Sequence, residues 1–152
     1  MIKKLILTAF LAIAAMASSL TQGSDIPTLT IKDQFEKNHL VDANVKTILF
    51  SATKEESATI RDFIDSKGKE GFLTSNNIAY IADITGMPSL ITKFFALPKM
   101  KKYEFPILLI DEANKTLFPV QEDKISIITV ENGKVSDIKY VKTAEELAAN
   151  FK

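Results

Sequence analysis

The chain has 152 residues, 46% of them hydrophobic and 25% charged, which fits one globular domain and excludes extended disorder. Its 19 basic and 19 acidic residues balance, so there is no basic excess for nonspecific nucleic-acid binding. It has no cysteine, which excludes disulfides, thiolate chemistry and a cysteine-linked lipid.

Lys3 and Lys4 precede an apolar run from Leu5 to Ala14, and Ala15-Met16-Ala17 supplies small residues after it. This pattern reads as a secretory signal peptide over residues 1–17, cleaved after Ala17. A membrane anchor is the alternative, but the run falls short of the roughly 20 apolar residues a spanning helix needs. Cleavage removes two of the 19 basic residues and leaves 17 against 19 acidic ones, a net charge of −2. The expected location is therefore the periplasm or the exterior, with no stable membrane anchor. Residues 18–26 are small and polar and read as a flexible leader, ahead of a domain over 27–152.

Pro27 to Ile31 reads as a short strand, and His39-Leu40-Val41 as the returning arm of a hairpin across a polar turn. Val45 to Ala52 is the first strong strand. Its consecutive Ile48, Leu49 and Phe50 suit a strand covered on both faces. Thr53 with Glu56 three residues on predicts a capping box, and a helix to about Ser66 with Ile60, Phe63 and Ile64 inward. Gly68 stops it.

Lys69 to Asn77 reads as a polar connection, and Ile78 to Ile84 as a second buried strand. Gly86 and Pro88 announce another helix, with Leu90, Ile91, Phe94 and Phe95 at core spacing and Pro98 as its end or kink. Lys99, Lys101 and Lys102 read as a solvated surface, with a docking patch as the alternative. Phe105 to Asp111 is a third buried strand. Residues 112–120 fit either a short helix or an irregular loop. Ile125–Val130 and Lys134–Val141 flank Glu131-Asn132-Gly133, a strong hairpin signal. Thr143 caps a last helix with Ala144, Leu147, Ala148 and Phe151 on one face. Strands alternating with helices predict an α/β domain with a parallel core sheet, extended by the terminal hairpin into a mixed one.

Three phrases carry a resemblance. They are Phe50-Ser51-Ala52-Thr53, then Phe105 to Asp111, then Ile127 to Val135, in that order along the chain. Together they resemble the thioredoxin-like superfamily, in its secreted TlpA and peroxiredoxin-like branch, over roughly Thr28 to Phe151. The resemblance implies a thioredoxin-like fold: a central mixed sheet flanked by helices, with an N-terminal β-hairpin. In that family a reactive CxxC follows the first phrase at a helix N-terminus. Aligned on Phe50 to Thr53, its cysteines fall on Glu55 and Ala58, and a peroxiredoxin-style cysteine falls on Glu56. The family's cis-proline falls near Lys124. The resemblance thus implies a redox-inactive member, without oxidoreductase or peroxidase activity.

The residues singled out for binding are Thr53, Lys54, Glu55, Glu56 and Ser57, where such a fold places its site. Glu122, Asp123 and Lys124 would lie opposite, making a charged cleft by family geometry. The plain alternative is helix capping and exposure. Glu55 and Glu56 are adjacent on a helix and do not form a catalytic pair. Ser57 has no visible base, since the single histidine, His39, lies on the early hairpin and reads as a surface residue. Asp83, Asp111 and Glu112 sit near strand ends without a calcium-loop pattern. Tyr80, Phe94 and Phe95 read as core. The leading expectation is a binding or accessory module for an unknown protein or small ligand, with no cofactor and no metal. A non-thiol enzyme using carboxylates at the same corner is the alternative. Holding thiol oxidoreductases without reacting is a third role.

Overall fold

The structure, a computed structural model, describes residues 19–151. The signal-peptide expectation falls on residues 1–17, outside the described residues. Two strands, β1 (Leu29–Lys32) and β2 (Asn38–Val41), form an antiparallel hairpin. The main sheet has the order β5-β4-β3-β6-β7. Within it β3 (Thr47–Ser51), β4 (Ile78–Asp83) and β5 (Leu108–Ile110) run parallel. β6 (Ile125–Glu131) and β7 (Lys134–Val141) are antiparallel.

Side-chain alternation divides the core between the two faces of the sheet. Leu49, Tyr80 and Ile127 face one cluster, where they meet the helices. Ile48, Phe50, Ile81 and Ile128 face the other. Burying each such large apolar side chain is worth about 1.5–3 kcal/mol. The helices are α1 (Lys54–Lys67), α2 (Glu70–Ser75), α3 (Ser89–Ile91), α4 (Leu97–Met100) and α5 (Ala144–Ala149). The buried apolar residues of α1, α2, α4 and α5 all join the first cluster. The opposite face is covered by the hairpin, by Leu20 and Ile26, and by Phe118, whose ring stacks on Phe50 at 4.9 Å.

Local signals act as read at several points. Ile60, Phe63 and Ile64 are the buried apolar residues of α1, and Gly68 ends it with φ 123° and its N–H on the Ile64 carbonyl. Asn132 and Gly133 both take positive φ, as a tight β6–β7 turn requires, and a Cβ on Gly133 would sit 3.0 Å from the Ala43 Cβ. Thr143 and Glu146 form a full capping box on α5.

Four expectations need correction. Residues 19–26 are anchored rather than a flexible leader. The Gly23 and Ile26 N–H groups donate to the Val135 and Gly133 carbonyls at 2.7 and 2.9 Å, and Leu20 and Ile26 are buried. This segment covers part of the β7 edge. The polar connection after α1 contains α2, because Leu73 finds a place in the core. The capping box at Thr53 is only half formed: its hydroxyl accepts the Glu56 N–H at 3.2 Å, but the Glu56 carboxylate accepts the N–H of Ala52, at 3.0 Å. The fourth concerns residues 89–100. Leu90, Phe94 and Phe95 are 67%, 60% and 68% exposed instead of core. Between α3 and α4 the chain makes a π-helical turn, Thr92–Ala96. Phe94 and Phe95 fall within this turn, which departs from the period of about 3.6 residues that the sequence spacing assumes, and Leu90 lies ahead of it. The ambiguous segment 112–120 is a loop with one 3-10 turn, Lys115–Leu117.

Candidate functional site

At the carboxyl end of β3 the chain turns through Ala52 and Thr53 into α1. Ser51 is buried there, and its hydroxyl lies 2.7 Å from that of Ser57 on the first turn of α1. Tyr80 reaches the same place from β4. Its phenol is fully enclosed beside Ser57, Ser51 and Arg61. Burial pushes this phenol above its usual value of 10.0, against the opposing pull of those three neighbours. None of them gives its oxygen a hydrogen bond of ordinary geometry.

A cavity of about 510 Å3 opens beside this corner, with Ser57 and Arg61 in its wall. Thr53, Lys54, Ser57 and Arg61 line it from α1. Asp83, Ile84, Gly86 and Met87 come from the end of β4 and the loop after it. Ile91, Phe95, Lys99 and Met100 close the far side. The wall is mostly apolar with a few polar groups, the make-up of a small-molecule site.

Charge in the wall is asymmetric. Lys54, Arg61 and Lys99 face a single carboxylate, Asp83. That carboxylate is engaged: one of its oxygens accepts the Thr85 N–H at 2.9 Å and the Thr85 hydroxyl at 2.6 Å. Arg61 is buried to 4% exposure and forms no salt bridge with any described residue. Its Nε has no hydrogen-bond partner.

The expected site residues are divided by the structure. Thr53, Lys54 and Ser57 line the cavity. Glu55 is exposed outside its wall, and Glu56 is turned back to cap Ala52. Glu122, Asp123 and Lys124 lie in a turn closed by Lys124 N–H to the Gln121 carbonyl, at 3.1 Å. They do not line the cavity, and the charge of Lys124 acts on Glu146 at the start of α5. The cavity wall beyond α1 is drawn from residues 83–87 and 91–100. His39 Nε2 lies 2.7 Å from the Asp33 carboxylate in the hairpin, and His39 does not line this cavity. Among the described residues no three histidine or acidic side chains converge in a way that could hold a metal ion.

Arg61, Tyr80 and the apolar wall were missed as site residues. One signal was available. Ser57, Ile60, Arg61 and Ile64 fall on one helix face, so Arg61 occupies a position that the pattern reserves for core.

No protein-family model and no curated protein sequence matches the chain. Solved structures do. StoA from Bacillus subtilis is similar with a TM-score of 0.56 at 15% identity, over 83% of this chain and 97% of that one. A peroxiredoxin-like protein from Aquifex aeolicus gives 0.55 at 10% identity, over 89% and 88%. A thio-disulfide isomerase from Thermus thermophilus gives 0.50 at 17% identity, over 86% and 94%. Likeness at these identities speaks to the fold. With its five-stranded mixed sheet, flanking helices and leading hairpin, the chain has the thioredoxin-like fold, on a sequence without a cysteine.

Proposed function

We propose that the chain is an exported, redox-inactive thioredoxin-like protein that works as a binding or accessory module, through the face that carries the redox site in relatives. One observation carries this: the 510 Å3 cavity opens where α1 begins, and its wall contains Thr53, Lys54 and Ser57. Ligands of open α/β sheets gather at such carboxyl ends. The thiol chemistry named for similar structures does not transfer, because no thiolate exists here to attack a disulfide. A carboxylate enzyme at this corner draws little support, since Glu56 is occupied as a cap and Glu55 stands outside the cavity. Export is supported by the charge and apolar pattern of residues 1–17, and no helix among the described residues is long and apolar enough to cross a membrane.

The test is affinity co-purification from the native envelope with mild crosslinking, comparing the wild type with a variant carrying Thr53→Ala, Lys54→Ala and Ser57→Ala. A stoichiometric partner or ligand that the triple variant loses is the expected result. Equal capture by a folded triple variant would move the binding face elsewhere.

A further inference from the structure

We propose that the cavity takes a small organic carboxylate with an apolar or aromatic body, its carboxylate seated on Arg61 and its body against Ile91 and Phe95. This rests on the binding-module reading above and names the ligand class for that site.

Arg61 is the first ground. A guanidinium enclosed in protein normally has a carboxylate or several carbonyls around it, because losing water is costly for a charge. Here it is 4% exposed, lines the cavity, and has no acidic partner among the described residues. Its contact is the Tyr103 ring, 5.1 Å from the guanidinium carbon. A ring face offers partial compensation only.

The second ground is independent. The Arg61 Nε and the Tyr80 hydroxyl are the two buried side-chain polar atoms of the described residues that lack a hydrogen-bond partner. The phenol lies beside Arg61. Arg61 lines the cavity, whereas the phenol packs behind it against Ser57 and Ser51, outside the cavity wall, so the unmet donor that reaches the cavity belongs to the guanidinium. An acceptor with negative charge in the cavity answers the guanidinium.

The surroundings select among anions. The positive end of α1, Lys54 and Lys99 favour negative charge, while Asp83 is held by Thr85. Ile84, Met87, Ile91, Phe95 and Met100 make the rest of the wall apolar. Free inorganic phosphate would leave that wall unused and its own charge short of donors. A carboxylate matches the guanidinium fork, and an alkyl or aryl body covers the apolar side. The π-helical turn Thr92–Ala96 exposes Phe95 at the rim, and turns of this kind recur at functional sites.

Calorimetric titration of the purified chain with octanoate, 3-phenylpropionate, octanol and inorganic phosphate tests this. Both carboxylates should bind saturably at one site, with octanol and phosphate at least about tenfold weaker, as loss of one charge-assisted contact implies. Arg61→Met should weaken octanoate by about tenfold or more, with Arg61→Lys between it and wild type. Phe95→Asp, at a position 68% exposed, should also weaken octanoate. Absence of saturable carboxylate binding by the wild type overturns the proposal, as does equal affinity for octanoate and octanol. Unchanged octanoate affinity in a folded Arg61→Met overturns it too. If these arms fail while the triple corner variant still loses its partner, the ligand class is wrong and the binding face stands. If the triple variant keeps its partner as well, both readings fall.

Discussion

The guanidinium of Arg61 stacks over the ring of Tyr103 at 5.1 Å, and no carboxylate among the described residues pairs with it. A cation–π contact is worth about 0.5–2 kcal/mol, whereas enclosing an unpaired charge costs several. The unliganded protein therefore carries Arg61 at a net loss of stability. Arg61→Met keeps the volume and removes the charge. Urea unfolding should show the variant more stable by about 1 kcal/mol. A loss beyond about 2 kcal/mol would mean that Arg61 holds the fold together instead of serving the cavity.

Tyr80 predicts an alkaline limit. Burial, opposed by Ser57, Ser51 and Arg61, holds its folded-state value above 10.0. The neutral phenol is thus the form the fold favours. Its contribution is full below pH 10.0 and is lost as pH rises past the unfolded value towards the folded one. Tyr80→Phe should flatten the fall in stability above about pH 10. Melting curves at rising pH, wild type against variant, measure the difference. Parallel curves would place the alkaline loss on other groups.

The acid limit lies in the hairpin. Asp33 is buried, which resists its charge, yet His39 at 2.7 Å and the N–H groups of Lys37 and Phe35 outweigh that and hold its carboxyl below 3.8. The charged form is favoured in the fold. Its contribution is present above pH 3.8 and lost as pH falls below that towards the folded value. Asp33→Asn should be less stable than wild type at neutral pH and less sensitive to acid in this range. Melting temperatures across the acid range decide it.

Gln34 fastens the same hairpin to the main sheet. Its Nε2 donates to the Met100 and Phe105 carbonyls at 3.2 and 2.9 Å, and its Oε1 accepts the Ile107 N–H at 2.8 Å. Gln34→Ala leaves the Phe105 carbonyl and the Ile107 N–H unpaired, while the Met100 carbonyl keeps the Tyr103 N–H, and should cost about 2–4 kcal/mol in urea unfolding. Gln34→Glu, which sets an acceptor against two carbonyls, should be no better. A cost under about 1 kcal/mol would mean that water replaces the clamp.

These residues also mark where sequence reading succeeds and stops. β3, β4 and β6 are legible because their apolar runs satisfy two covered faces at once. Asn132-Gly133 and Thr143–Glu146 are legible because their signals are local. Gln34 is not, since a polar residue in a turn looks solvated until the strand it clamps is known. Phe94 and Phe95 mislead for the opposite reason: their spacing is that of an α-helix, and they fall in a π-helical turn. At the site, Thr53, Lys54 and Ser57 could be named from the strand–helix corner. The far wall could not, because residues 83–87 and 91–100 meet α1 only through tertiary packing. Glu122, Asp123 and Lys124 were placed by analogy of position, and the turn holding them lies outside the cavity wall.

Amide chemical-shift mapping of the folded chain during titration with octanoate tests the central claim most directly. The account predicts saturable shifts confined to Ala52–Arg61, Asp83–Met87 and Ile91–Met100, with Arg61 and Phe95 among the largest. A second groove shares Tyr80 with this corner, and its far residues Val41, Asn44 and Asn77 provide the internal control. Shifts that cluster there, or no saturable shifts at all, would contradict a carboxylate site at the start of α1.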